Sequence, residues 1–436
     1  MREDYTVFSE DSLRKFAEAD CDYDSLEIEA IDFLRNPQNF RTFKQGLIEL
    51  LNRKNFTGDT NNIFEMTDYL YGRLCEINST LEKKTVQSWF DGSHRPKIEP
   101  VSRPRMYEIC FALGLTFNEV VWFFHHVHYD RAFNCHDISE GVFYFAFLHG
   151  MKYSEALEII NEVNSSQCDA RPDAKIHTSF IKERIRELTS PEELKSFLTQ
   201  NKANFTVWNN TAIRYIKQFF TEITGNEDAA KPIIKNIQRR LTLLKRAERT
   251  IELNINEINK CGLLVREIIF DAKLFHSDKY EAEKLQDILK SKNTFSHTFI
   301  LDNILGTNSG LGKSSEIPYI VRNNFPSKKV LSDVINSMQS TTLKSYDAIR
   351  KTLILFHFYV FWCNCKLGNI DNECEKLFET YREEADILLE ECGYEVLYSG
   401  NPYDWVFLFS ANAGDCRNTL KIFRDMVLFF IDASIE

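Results

Sequence analysis

The fold expected for this chain follows from one stretch, Lys83–Gly92, which reads KKTVQSWFDG. Val86, Trp89 and Phe90 are spaced three and four positions apart, which places them together on one face of an α-helix. Gly92 is suited to end that helix, because glycine adopts the left-handed backbone of a helix terminus at little cost. The stretch therefore predicts a short helix that buries one apolar, largely aromatic face.

The other side of this short helix is polar and basic. Gln87 is able to pair bidentately with adenine, and Ser88 is able to meet several base edges in a DNA major groove. Between Leu81 and Arg105 the chain has six lysines and arginines against three acids, a local charge of +3 in a chain whose formal net charge is −11. Such a local excess is typical of a surface that faces phosphates. The candidate DNA-binding residues are Lys83, Lys84, Thr85, Gln87, Ser88, Arg95 and Lys97.

Apolar residues at helical spacing predict further helices on both sides of this stretch. Ser79 and Glu82 have the spacing of a capping box, which predicts that the short helix begins near Thr80. Gly114 has the position of a residue that ends the helix after it. The four flanking helices are expected over Phe40–Leu51, Met66–Ile77, Pro104–Leu113 and Thr116–Phe124.

Residues 40–125 together resemble the Cro/C1-type (phage-repressor-like) helix-turn-helix family, over roughly a fifth of the chain. The resemblance rests on the spacing Thr85-Val86-x-x-Trp89-x-x-Gly92 in the short helix and its exit turn. It is extended by a later proline and by the fourth helix of the unit. Those further matching residues are Pro96, Tyr107, Ile109 and Ala112-Leu113-Gly114-Leu115.

The resemblance implies a DNA-binding role for the polar side of the short helix, and it implies that Gly72 lets the second helix pack closely. The residues to which it assigns DNA contact are Lys84, Thr85, Gln87 and Ser88. Family members keep their turns short, whereas this chain has a long connection over Asn78–Lys83 and polar insertions over Asn55–Asn62 and Lys97–Ser102. These longer connections leave open an alternative in which the unit serves the fold or a protein contact.

The composition predicts an all-α protein in which the helix-turn-helix unit is embedded in a larger multi-helical bundle or solenoid-like body. Only 16 glycines and 10 prolines occur among 436 residues, too few for the turns of a β-rich chain, and 43% of the residues are hydrophobic. A length of this kind predicts about three units. We expect a helical lead-in over 1–36, a helix-turn-helix domain over 37–130, a helical middle region over 131–290 and a C-terminal helical domain over 291–436.

Several features predict a cytoplasmic protein with no membrane partner. Met1–Asp11 is charged and polar, so no secretory signal opens the chain. Eleven cysteines are scattered, many within apolar helical stretches, which favours buried thiols over disulfides. The longest apolar run, Leu353–Cys363, predicts a buried helix, because a bilayer span needs ~20 residues.

No group of residues in the sequence indicates a catalytic, metal or cofactor site. The cluster around His125 lacks the paired spacing of zinc ligands, and two cysteines at Cys363 and Cys365 diverge around a helix. The run Gly306–Ser314 has a glycine one residue too far from its Gly-Lys-Ser to match a phosphate loop. The histidine cluster consists of His125, His126, His128, Cys135 and His136.

Two further segments receive a structural expectation. Lys231–Lys260 is predicted to form a long amphipathic helix whose basic residues form either a solvated face or a second nucleic-acid surface. Asn293–Ile317 is rich in Asn, Ser, Gly and Thr and is expected to be irregular.

The expected function is that of a DNA-binding transcriptional regulator that uses double-stranded DNA as its partner. A homodimer is expected, because units of this type gain affinity from paired half-sites. Two alternatives stay open: an α-helical interaction scaffold, and a defence or toxin-type effector whose cleft would gather His357, Tyr403 and Asp404. The turn at Asn401–Trp405 also suggests a groove for a protein or peptide partner between the C-terminal helices.

Overall fold

The computed structural model is helical throughout the part of the chain that it describes. That part comprises residues 23–36, 38–94, 96, 102–133, 135, 137–166, 178–206, 210–225, 235, 259–271, 297–305, 328–336, 346–370, 376–413 and 418–432. Within these ranges no β-strand occurs, and one isolated bridge joins Gly225 to Cys261. The predicted all-α class is therefore confirmed. In the same ranges, no helix combines the length and apolar character that a bilayer span requires.

The first half of the chain contributes ten described α-helices. They are α1 (Tyr23–Arg35), α2 (Phe43–Arg53), α3 (Ile63–Glu76), α4 (Lys83–Asp91), α5 (Arg103–Ala112), α6 (Phe117–Phe123), α7 (Ile138–His149), α8 (Tyr153–Ser165), α9 (Thr178–Glu187) and α10 (Pro191–Gln200). A π-helical turn, Phe124–His128, continues α6, and a 3₁₀ turn, Lys202–Thr206, follows α10.

The second half contributes eight described helices. They are α11 (Asn210–Thr224), α12 (Leu263–Asp271), α13 (His297–Ile304), α14 (Lys328–Asn336), α15 (Tyr346–Lys366), α16 (Leu377–Glu391), α17 (Pro402–Ala413) and α18 (Thr419–Asp432). The predicted buried helix is confirmed, since every residue of the run Leu353–Cys363 in α15 is buried. Helices α11, α12, α16 and α18 pack around it.

The buried apolar side chains form two cores. The first, which we call the N-core, is built by α2 to α10 and extends from Phe43 to Phe205. The second, the C-core, is built by α11 to α18. Helix α1 belongs to the C-core although it precedes the N-core in sequence, because Phe33 stacks on Trp405 at 5.0 Å. The division of the chain into four units at residues 36, 130 and 290 stays a prediction.

Polar caps define where several helices begin. Thr42 and Thr116 close capping boxes at α2 and α6, and each satisfies backbone N–H groups that lack an intrahelical partner. The capping box predicted at Ser79 is wrong. Helix α4 begins at Lys83 after Glu82 without a side-chain cap, and the Ser79 hydroxyl instead donates to the Glu108 carboxylate at 2.5 Å.

Four other expectations meet different outcomes. The expectation that Asn293–Ile317 is irregular is wrong for His297–Ile304, which is a helix whose Ile300, Leu301 and Ile304 are buried in the C-core. The long helix expected over Lys231–Lys260 lies almost entirely outside the described residues. The run Gly306–Ser314 and an amphipathic helix expected around Ser12–Ala19 in the lead-in lie outside them as well.

The described cysteines form no disulfide, and all of them except Cys75 are buried. Cys75 is exposed on α3, which differs from the buried position expected for it.

Candidate nucleic-acid interface

Helix α4 is held by its apolar face. Val86 and Phe90 are fully buried and Trp89 is 3% exposed. The Trp89 ring meets Phe43 of α2 edge-on, with ring centroids 5.7 Å apart. Gly92 ends the helix with a φ of +80°, as its position in the sequence predicts. The same three side chains that the spacing placed on one face therefore fix α4 against α2 and α3.

The polar side of α4 remains open to solvent. Lys83 and Lys84 are exposed, whereas Thr85, Gln87 and Ser88 are half-buried. The Ser88 hydroxyl donates to the Thr85 carbonyl at 2.7 Å, which leaves its oxygen able to accept a further hydrogen bond. These five candidate residues thus lie along one short helix and share an accessible surface.

The two lysines at the start of α4 differ in their surroundings. Lys83 forms an ion pair with Asp68 of α3, and both side chains are more than half exposed. Lys84 forms no ion pair with any residue in the described ranges. Lys84 is therefore the more available cation, because an exposed pair such as Lys83–Asp68 has to be broken or shared before a phosphate binds.

The far end of α4 carries an acid beside two basic groups. Hydrogen bonds from Ser93 lower the pKa of Asp91, and the nearby charges of Lys44 and His94 lower it further. Lys44 belongs to α2 and approaches this end of α4 only through the fold. The sequence motif missed Lys44, since nothing in the spacing of α2 relates it to α4.

Two expected DNA-binding residues, Arg95 and Lys97, lie outside the described residues, although Pro96 between them is buried. The role predicted for Gly72 is wrong, because a side chain added there meets nothing within 4 Å. Gly46 on α2 is instead the close contact, since a Cβ atom at that position would overlap the side chain of Val127.

The histidines after α6 point to separate partners. The Nε2 atom of His125 lies 3.4 Å from a Glu395 carboxylate oxygen, and His126 lies beside Trp122 with ring centroids 6.1 Å apart. His128 is buried against Phe124, and burial lowers its pKa to about 4. Within the described ranges no three potential ligands are grouped for a metal ion, and His136 lies outside those ranges.

The C-terminal cleft required by the effector alternative is not formed by the three residues that suggested it. Asp404 accepts two hydrogen bonds from the Arg350 guanidinium, at 2.8 and 2.7 Å. The Tyr403 hydroxyl donates to the Lys351 carbonyl at 2.7 Å, and the His357 ring stacks on Tyr381. Each side chain is thus used by a different internal contact.

A polar junction between the two cores is a feature that the sequence did not reveal. Arg131 donates to the Gly393 carbonyl at 3.1 Å, across 262 positions of sequence. The side-chain amide of Asn401 donates to the backbone carbonyl of Tyr129 at 3.3 Å. The small cavity between these residues has a volume of about 30 Å³, room for about one water molecule. This junction is too small for a substrate, and we assign it a structural role.

The polar side of α4 remains the site to which most candidate residues belong. Against models of known families, curated proteins and solved structures, the chain shows no match.

Proposed function

We propose that the protein binds double-stranded DNA in a sequence-dependent way, with α4 as the helix that enters the major groove. The observation that carries the proposal is the division of α4 into a buried aromatic face and an accessible side that bears Lys84 and Gln87. A helix fixed in this manner presents its polar side chains with little freedom, which base recognition requires.

The contacts of α4 with its neighbours support the same proposal. Helices α2 and α3 both pack against α4 and leave its outer side uncovered within the described residues. In the proposed complex Lys84 meets a phosphate, and Gln87 and Ser88 face base edges. Thr85 lies on the same turn and adds a hydroxyl near the backbone of the DNA.

The working form in this proposal is a homodimer that acts as a transcriptional regulator. One short protein helix contacts only a few base pairs. Two copies bound about one turn of the DNA double helix apart supply the affinity that a single copy lacks. The bound sequence is therefore expected to be an inverted repeat.

The experiment that tests the proposal is selection of bound duplexes from a random pool by the full chain, at a low and a moderate salt concentration. Enrichment of an inverted repeat supports it. Gln87→Ala should keep the repeat but lose preference at one base pair in each half, because only one bidentate contact is removed. Failure of the wild-type protein to enrich any sequence at low salt would overturn the proposal and favour the scaffold.

A further inference from the structure

A groove on the N-core lies apart from the proposed DNA-binding side of α4. It has a volume of about 650 Å³, within the range of small-molecule sites. The C-terminal end of α3, the α5–α6 turn and the α7–α8 turn form its walls. Its apolar lining includes Phe111, Phe117, Phe147, Met151 and Tyr153.

The walls of the groove are aromatic and incompletely buried. Phe111 stacks on Phe147 with ring centroids 4.2 Å apart, and Tyr153 lies 5.2 Å from Phe111. Phe111, Phe117 and Phe147 are each half-buried, so part of each ring is open to an occupant. The faces of aromatic rings attract cations, and they also favour an apolar body.

Helix ends add negative potential to the same groove. The C-terminal ends of α3, α5 and α7 lie in its walls, near Ile77, Gly114 and Leu148, and a helix C-terminus carries a partial negative charge. The helices that begin here, α6 and α8, have Glu119 and Glu155 in their first turns, where these carboxylates accept hydrogen bonds from the backbone N–H groups of Thr116 and Lys152. Their positive ends are therefore largely neutralised.

Two lysines contribute positive potential near the groove. Lys54 donates to the Gly114 carbonyl at 3.0 Å and to Glu119 at 2.7 Å, so its charge is shared by two acceptors at the α5 terminus. Lys152 is exposed at the rim of the groove. Neither lysine forms an ion pair with the Glu108 carboxylate, which lies directly behind the lining of the groove.

Glu108 belongs to α5 and is 9% exposed. It accepts hydrogen bonds from the Ser79 hydroxyl at 2.5 Å and from the Tyr153 hydroxyl at 3.4 Å. Within the described residues no lysine, arginine or histidine forms an ion pair with it. Buried carboxylates are ordinarily compensated by a cation, and Tyr153 links this one to the groove.

We propose that the groove binds a hydrophobic organic cation, a molecule with an apolar, ring-containing body and one positive charge. The body packs against the open parts of the stacked Phe111 and Phe147 rings, and the charge lies near the helix C-termini and the Glu108–Tyr153 pair. Neutral molecules of similar shape forgo the electrostatic contribution. Anions meet negative potential from the ends of α3 and α7 and from a carboxylate.

The test compares two probes of the same shape and opposite charge, tetraphenylphosphonium and tetraphenylborate, by titration calorimetry with the full chain. The phosphonium should bind at least tenfold more tightly than the borate. Equal or tighter binding of the borate, or no binding of the phosphonium, would refute the proposal.

Two variants locate the site. Phe147→Leu removes one aromatic face and Glu108→Gln removes the buried charge, and each should weaken phosphonium binding several-fold while thermal unfolding confirms that the variant is folded. The matched control is Phe64→Leu, since Phe64 is 67% exposed on the first turn of α3 and does not line the groove. Unchanged binding by Phe147→Leu contradicts the placement. Since neither probe assay uses DNA, this proposal and the proposed function fail or succeed separately.

Discussion

Lys84 forms no ion pair with the described residues, so its replacement tests the proposed phosphate contact without breaking an internal one. Lys84→Ala should weaken binding to every duplex by a similar factor. The slope of the logarithm of affinity against the logarithm of salt concentration should fall by about 1, because one fewer counterion is released. Fluorescence anisotropy over a salt series measures both effects. Lys421→Ala, which removes an exposed lysine of α18, is the control and should leave the slope unchanged.

Asp68 opposes the same interaction, because it neutralises Lys83 and places a negative charge beside the proposed DNA surface. Asp68→Asn frees Lys83 and removes that charge, so affinity for DNA should rise several-fold at low salt and less at high salt. Competition with wild-type protein for a labelled duplex measures the change. Asp333→Asn is a matched exposed substitution on α14. A fall in affinity for Asp68→Asn would mean that the ion pair orders α4 for binding.

At the level of elements, two helical glycines differ in what surrounds them. Gly46→Ala should destabilise the fold by about 1–3 kcal/mol, because the new Cβ atom overlaps Val127 in a packed contact. Gly72→Ala should stabilise it by about 0.5–1 kcal/mol, because α3 gains helix propensity at a position with open space. Chemical denaturation of both variants measures the difference. The same sign for both changes would contradict the packing described here.

Local patterns predicted the short helix well. The spacing of Val86, Trp89 and Phe90 and the position of Gly92 depend only on neighbours within α4, so the face and the C-terminal end could be read from the sequence. The start of α4 could not, because Ser79 has a better partner in Glu108, 29 positions later. The sequence also assigned the close helix contact to Gly72 and not to Gly46, for a similar reason. Val127, which contacts Gly46, is brought to it only by the fold.

The π-helical turn Phe124–His128 is another element that the sequence did not indicate. It extends α6, carries Val127 against Gly46 and ends at Tyr129, a residue with a φ of +55°. The turn therefore changes the direction of the chain where the N-core meets the C-core. His128, the last residue of this turn, is buried.

For the whole molecule, the arrangement of two cores depends on contacts between distant residues. Composition predicted the all-α class, because scarce glycine and proline and abundant apolar residues act through local preferences. Composition could not predict the packing of α1 on the C-core or the polar junction between the two cores. They rest on pairs such as Phe33 with Trp405 and Arg131 with Gly393, which no periodicity brings together.

The burial of His128 between the two cores should make the free energy of unfolding depend on pH. Burial holds its pKa at about 4 in the folded protein, whereas an unfolded chain has an imidazole pKa of about 6.5. At pH 5 the unfolded chain therefore binds more protons than the folded one, and the free energy of unfolding falls as the pH is lowered from about 6.5 towards 4. This single group should cost about 2 kcal/mol between pH 7.5 and pH 5.

The variant His128→Leu removes that proton acceptor, so its free energy of unfolding should fall less between pH 7.5 and pH 5 than that of the wild-type protein. Urea denaturation at several pH values gives the two profiles. Some slope should remain, because burial also lowers the pKa of His126 to about 4. His149→Leu, at an exposed position on α7, should keep the wild-type profile. If His128→Leu also kept the wild-type pH profile, His128 would have to be as accessible to protons in the folded protein as in the unfolded chain. That result would contradict the buried position of the turn that joins the two cores.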